Sequence, residues 1–448
     1  MSGVADKRIC VIGCGVTGLT TGVVLAHLGH RVRLVETDEF RLSAIAKGEI
    51  PFQEPDLPTM LARGIRARRI YLGDDIGESV APSDYIMVAV RMPPSKAGSA
   101  NLSDLRETLI SIGECHVEGK VVVMRKTARP GMTEELAVPL LEKASGLKAG
   151  KDFGIAVNPA FLTGGRAVED CLRPSRIVVG STNVKTATDV MRLYDGIDAP
   201  KLIMDLKGAE TAKLASACFL ATKISCANEI ANLCEGFGVD SQEVLQVASL
   251  DPRIGAGYMS GGLGFGGSGL PVDLATMISA AKAAGMKPEL LKAVRKINEE
   301  QPLWAISVLE EELGSLRGRR IAILGLAYKA GVDDVRNSRA LPIVIGLLAR
   351  GSKVVGYDPN AQGSFIKVLP GISYASSAQE ALLDADACII QTEEGEFARL
   401  NGRDFDLMRK KIVVDGRRVT SPTKLKKYGV TLRGTGLGNR QRRQLVRR

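Results

Sequence analysis

The sequence predicts an α/β fold: two Rossmann-like α/β domains joined by a long central helix and a helical middle region. Three observations predict it. Short Val- and Ile-rich runs alternate with helical patterns near the N-terminus, in RICVIGCG, TGLTTGVVLAHLG, RVRLVE, YIMVAV, VVVM and RIVVG. The stretch KGAETAKLASACFLATKISCANEIANLCEGFG then carries apolar residues at helical spacing. The strand pattern resumes at RRIAILGLAYKAG. Strands that alternate with helices imply βαβ units and a mainly parallel sheet, and 448 residues exceed what one ordinary core accommodates.

Taken in order, the first segment reads as one α/β domain over residues 1–200. The helix from Lys207 to about Gly238 is long enough to connect two domains or to pack against its copy in a dimer. Further helical patterning around Leu274 continues to Leu313, so residues 201–315 form the helical middle. A second, smaller α/β domain follows over 316–436, with the helix SRALPIVIGLLARG and the strands KVVGYDP, ACIIQT and KIVVDGR. Residues 437–448 are a basic tail.

Composition narrows the functional classes. The chain is 45% hydrophobic and 25% charged, which is globular rather than disordered. No run approaches the roughly 20 apolar residues of a membrane helix, and MSGVADKR leads directly into a strand, so a cytoplasmic protein without a membrane partner is expected. The formal charge of +10 is concentrated most strongly in NRQRRQLVRR, and aromatic residues are only 4%. A solvated tail and a small anionic ligand fit this better than nucleic acid.

The eight cysteines, Cys10, Cys14, Cys115, Cys171, Cys218, Cys226, Cys234 and Cys388, lack the paired spacing of a zinc site or a disulfide framework, and no metal is expected. None of the three histidines, His27, His30 and His116, neighbours a nucleophile, which argues against Ser-His-Asp or Cys-His chemistry.

GCGVTG places Gly13, Gly15 and Gly18 between the strand ICVI and a helix, and Glu36 follows 18 residues after the third glycine at the end of RVRLVE. Strand, glycines, helix, strand and terminal acid together form a dinucleotide-binding unit. The glycines turn tightly and admit the pyrophosphate to a helix N-terminus, while the carboxylate hydrogen-bonds ribose hydroxyls. Glu36 would repel a 2′-phosphate, so NAD is favoured over NADP; Arg41 nearby softens that preference.

The chain resembles the UDP-glucose/GDP-mannose dehydrogenase family, most closely the UDP-sugar 6-dehydrogenases. The resemblance runs through VIGCGVTGLTTGVVLAHLGHRV, GEIPFQEPDL, NPAFLTGGRAVEDCLRPSRIVVG, LASACFLATKISCANEIANLCE, LDPRIG, GFGGSGLPVD, LGLAYKAGVDDVRNS and VVDGR. It implies two successive hydride transfers to NAD from the primary alcohol of a nucleotide sugar, with a loop cysteine forming a thiohemiacetal and then a thioester. It also implies catalytic roles for Lys213 and Asp273, which would relay a proton and stabilise an alkoxide. Gly13, Gly15, Gly18, Glu36, Arg41 and Thr127 would bind the cofactor. Arg253, Phe265, Gly266, Gly267, Lys329 and Arg417 would bind the nucleotide sugar, with Arg253 reaching a neighbouring subunit of a homodimer or higher homo-oligomer.

The chain departs from the family pattern where the second oxidation is expected. Gly269 stands at the cysteine position and Val272 at a lysine position of GFGGSGLPVD. Ala160 and Gly164 stand where two glutamates are usual, and Ala217 where the central helix usually has an asparagine. On the cofactor side, RMPP and KTARPGM introduce Arg91, Met92, Lys126 and Arg129. The expectation is an NAD-dependent oxidoreductase acting on CH–OH of a UDP-sugar or related nucleotide by a two-electron or transient oxidation. The alternatives are a non-catalytic nucleotide-sugar-binding or regulatory homologue, and an ordinary 6-dehydrogenase in which Cys218 or Cys226 substitutes for the missing nucleophile.

Overall fold

The structure, a computed structural model, describes residues 6–93, 101–126 and 129–438. The chain divides into two compact units, Met1–Ser216 and Ala217–Arg448, with the division inside the helix Leu206–Phe237.

The first unit contributes strands β1 (Arg8–Ile12), β2 (Arg31–Val35), β3 (Ile70–Gly73), β4 (Tyr85–Val88), β5 (Val121–Met124), β6 (Gly154–Val157), β7 (Ile177–Ser181) and β8 (Lys201–Met204). Among the described residues they form one sheet in the order β3-β2-β1-β4-β5-β6-β7-β8. The pair β6 with β7 is antiparallel; the other neighbours run parallel. In β1, Ile9 and Val11 join one buried apolar cluster and Cys10 and Ile12 another. Burial on both faces explains why RICVI reads as a continuous apolar run rather than an alternating one. The order reverses between β1 and β4, which opens a crevice at the carboxyl ends of the strands.

Three strands of this sheet escaped the sequence reading. In β3 only Ile70 is buried, and β6, GIAV, carries Gly and Ala, which are depleted in strands. β8 is exposed along its whole length, so its burial could not mark it.

The central helix, expected from Lys207 to about Gly238, spans Leu206–Phe237. Its start is set by Asp205, whose side chain accepts the Gly208 N–H, satisfying one of the donors a helix leaves unpaired at its N-terminus. Gly238 follows the last turn with φ 73°, a conformation glycine adopts at little cost.

In the second unit the helices Ser241–Ser249, Leu270–Ala283, Glu289–Glu300 and Leu303–Leu313 precede a second sheet. Its strands are β9 (Arg320–Leu324), β10 (Lys353–Tyr357), β11 (Ser373–Tyr374), β12 (Ala387–Ile390), β13 (Ile412–Asp415) and β14 (Thr431–Gly434). The order β11-β10-β9-β12-β13-β14 repeats the winding of the first six strands of the other sheet, and every pair is parallel. Ile321 and Ile323 of β9 enter one cluster while Ala322 and Leu324 enter another. The edge strand β14 is anchored by Arg433, a largely buried cation bound to Glu235 at 3.2 Å, Glu311 at 3.1 Å and Glu312 at 2.5 Å. Among the described residues no helix is long and apolar enough to cross a membrane.

Candidate functional site

The glycine turn after β1 is built as its spacing predicts. Gly13 has φ 96°, donates its N–H to Val35 O at 2.8 Å, and packs so closely on the β4 loop that an added Cβ would lie 2.9 Å from Val90 Cα. At Gly18 a Cβ would stand 1.9 Å from Gly13 O. Gly15 differs: a Cβ there would find nothing within 4 Å. The first and third glycines therefore permit internal packing, whereas the second leaves open space at the N-terminus of the helix Val16–His27. That is the arrangement a pyrophosphate requires.

Glu36 is buried at the end of β2. One carboxylate oxygen accepts the Cys14 N–H at 3.1 Å and faces Arg41 Nη1 at 3.4 Å; the other accepts the Asp38 N–H at 3.3 Å. The acid is thereby fixed against the glycine turn. The open space at Gly15 and the fixed carboxylate of Glu36 are compatible with the NAD-binding unit expected from the sequence.

Thr127 lies outside the described residues, as do residues 439–448 of the basic tail. Of the cations on this side, Arg129 is ion-paired with Glu135 at 2.5 Å, and Arg91 is exposed. The turn between β5 and the next helix is held by Glu210, which no local pattern singled out. Its side chain has no exposed surface. Oε2 accepts the Gly131 N–H, and Oε1 accepts both the Thr133 N–H at 3.0 Å and the Thr133 hydroxyl at 2.7 Å. Desolvation pushes the Glu210 carboxyl above its usual range. Lys213 lies three residues further along the same helix and is half-buried.

In the second unit the segment GLGFGGSG, residues 262–269, is clamped from several elements. Asn228 Oδ1 accepts the Gly262 N–H at 2.7 Å, and Gln301 Nε2 donates to Gly262 O at 2.9 Å. Asn298 binds both polar groups of the Phe265 backbone. Asn337 Nδ2 donates to Gly267 O at 2.9 Å, and the Gly267 N–H donates to Arg336 O at 2.8 Å. At Gly266 a Cβ would stand 2.4 Å from Asn337 O, and at Gly267 2.9 Å from the Tyr328 ring. These glycines are required by close contact with the chain around 328–337.

Gly269 shows the opposite. It precedes the helix Leu270–Ala283 with φ −93° and ψ −88°, and a Cβ there would meet nothing within 4 Å. Neither crowding nor a positive φ calls for glycine at this position. Asp273 occupies the first turn of the same helix, its N–H donating to Gly269 O at 2.9 Å.

The structure brings Phe265, Gly266, Gly267 and Arg417 into one neighbourhood. Arg417 Nε donates to Gln391 O at 2.9 Å, Nη2 reaches Gly264 O at 3.4 Å, and Glu393 lies 3.4 Å from Nε. Tyr328, against Gly267, places Lys329 next in the chain, half-buried. The Arg253 side chain is 88% exposed and bound to Asp251 at 2.6 Å. Lys213 belongs to the first unit and Asp273 to the second. Asn228, Asn298, Gln301 and Asn337 were not anticipated; their partners lie 33 to 70 residues away in sequence, so no local pattern marks them.

Comparison with known proteins matches three successive domains of one family, each described as UDP-glucose/GDP-mannose dehydrogenase. The NAD binding domain corresponds to residues 7–198, the central domain to 207–300 and the UDP binding domain to 322–422. The chain belongs to the UDP-glucose/GDP-mannose dehydrogenase family, whose cofactor is NAD. It is 38% identical to UDP-glucose 6-dehydrogenase AglM of Haloferax volcanii over 92% of this chain and 97% of that one. It is 35% identical to UDP-glucose 6-dehydrogenase TuaD of Bacillus subtilis, over 96% and 93% respectively. The solved UDP-glucose dehydrogenase of Pyrobaculum islandicum superposes with a TM-score of 0.89 at 35% identity, covering 98% of this chain and 99% of that one. A UDP-D-ManNAc dehydrogenase from Pyrococcus horikoshii gives 0.86 at 29% identity, covering 96% and 100%.

Proposed function

We propose that this protein oxidises a UDP-sugar or related nucleotide sugar by one two-electron step, net or transient, rather than carrying alcohol through to acid. The observation that carries the reading is the contrast within one loop. Gly266 and Gly267 are held by close packing, while Gly269, at the position of the family's nucleophile, faces open space with no steric need to be glycine. A loop kept in shape without its thiol supports binding and the first oxidation without covalent capture of the aldehyde.

In this reading Gly13, Gly15, Gly18, Glu36 and Arg41 would hold NAD, which would supply the hydride acceptor for the oxidation. Lys213 and Asp273 are the groups this reading assigns to accept the hydroxyl proton and pass it to water. Lys329 and Arg417 bind the nucleotide sugar through the unit containing residues 316–436, and Arg253 completes that site from a second copy in a cytoplasmic homo-oligomer. Cys218 is a poor substitute nucleophile: burial, assisted by the charge of Asp273, pushes its thiol up to about 11, leaving little thiolate at neutral pH.

The test is to incubate the protein with NAD and a panel of UDP-sugars, following NADH absorbance and product mass. One NADH per product with loss of two hydrogens supports the two-electron dehydrogenase, and an isomerised product without net NADH supports transient oxidation. Two NADH with a carboxylate product overturns both. Binding of NAD and sugar without turnover moves the non-catalytic reading ahead.

A further inference from the structure

A cavity of about 40 Å³ lies in the first unit, with Arg125, Arg176, Asp170, Ala160 and Asn158 in its wall. On this measure a water needs about 10–15 Å³, so the space takes a few waters or one small ion. Its wall contains two guanidinium groups whose described partners are all neutral. Arg125 is 5% exposed. Its Nη1 donates to Asn158 O at 2.8 Å and Oδ1 at 2.5 Å, and its Nη2 to Thr21 Oγ1 at 2.9 Å. Its Nε is buried without a hydrogen-bond acceptor.

Arg176 lies over the Phe161 ring, 3.9 Å from its centroid, and donates to Ser175 Oγ and Ser216 Oγ, each at 2.8 Å. Burial disfavours its charged form. Asp170 is the one carboxylate in this wall, and it is engaged elsewhere: one oxygen accepts the Thr163 N–H at 2.8 Å, and the other faces Arg166 at 3.8 Å. The neighbouring Cys171 is a neutral thiol, pushed up to about 11 by burial. Two guanidinium groups thus share this wall with one carboxylate that already faces Arg166, and a buried cation without a counter-charge is unfavourable.

We propose that this cavity binds one small monovalent anion, a halide or formate, between Arg125 and Arg176. The two guanidinium groups favour an anion, the volume limits its size, and the Nε of Arg125 is a donor that no described protein group accepts from. Ala160 and Arg176 are half-buried, which leaves the site open to exchange with solvent. The wall includes Ala160, but occupancy of the cavity is tested without turnover.

The experiment is thermal unfolding of the intact protein at constant pH and ionic strength, with gluconate replaced stepwise by chloride, bromide or formate. The melting temperature should rise by about 2–4 °C and saturate, as expected for a ligand that binds only the folded state. Arg176→Gln, at a half-buried position, should shift the half-saturating halide concentration upward about tenfold, the loss of one charge-assisted contact. Ala160→Glu places a carboxylate in the wall and should remove the halide response. A bromide anomalous peak between the two arginines would confirm the location. Equal melting temperatures in gluconate, chloride, bromide and formate would mean that only water occupies the cavity and would overturn the proposal. A halide response unchanged in both variants, or bromide peaks only elsewhere, would overturn it equally.

Discussion

Asn298 meets Phe265 through both of its amide atoms: Oδ1 accepts the Phe265 N–H at 2.7 Å and Nδ2 donates to Phe265 O at 3.0 Å. The side chain thus acts as a strand partner for one residue of the glycine loop. Asn298→Ala should cost about 3 kcal/mol, because it leaves a buried N–H and C=O unpaired. Asn298→Asp should be no better, since the carboxylate keeps the acceptor but faces Phe265 O with a second one. Urea unfolding measures the cost, and titration with a UDP-sugar should show weakened binding in the folded fraction of either variant.

The first and second glycine types can be separated by paired substitutions. Gly15→Ala should fold with an unchanged melting temperature, because the position is open and its φ of −74° suits any residue. It should weaken NADH binding at least about tenfold, since the new methyl occupies the space left for the diphosphate. Gly18→Ala should instead destabilise the fold by several kcal/mol, because its methyl would overlap Gly13 O. Equal NADH affinity in Gly15→Ala and the parent would remove the pyrophosphate from this turn.

Glu210→Gln tests whether the Gly131–Thr133 turn must be held by an ionised group. The Gln amide would face the Gly131 N–H with another donor, so NADH affinity should fall about five- to tenfold. The pH dependence of stability should change as well. The folded carboxyl is raised above its unfolded value, so its contribution is full below about pH 4.3 and is lost as pH rises towards the folded pKa. The variant has no such loss. Its melting temperature relative to the parent should therefore increase between pH 4 and pH 7 on a series of thermal scans.

Gly269→Cys should be accepted without loss of stability, given the negative φ and the empty surroundings of the position. If the thiol were all that the second oxidation lacks, the variant would release a carboxylate and two NADH per sugar. We expect a trapped adduct or no gain instead, because in the proposed reading Ala160, Gly164 and Ala217 likewise lack polar groups the second oxidation needs. Mass spectrometry of the intact variant after incubation with NAD and substrate distinguishes these outcomes.

Much of this protein follows from its sequence. The strands RICVI, RVRLV, RIAIL and KVVGY are buried on both faces, so their apolar runs were unambiguous. The glycine spacing with Glu36, and the two α/β segments around a long helix, were legible because each rests on local chemistry: turn geometry, helical periodicity and strand burial. The family motifs were legible for the same reason, since each is a short contiguous stretch.

Tertiary structure decided what the local pattern could not contain. β8 is an exposed edge strand, and β11 has only two residues, so hydrophobic burial marks neither. Whether a given glycine is required depends on what its missing Cβ would touch, and that separates Gly18 from Gly15 and Gly266 from Gly269. The clamps by Glu210, Asn298 and Asn337 join residues 79, 33 and 70 positions apart. A polar side chain acquires such a role only when folding removes water and leaves one backbone group as its partner.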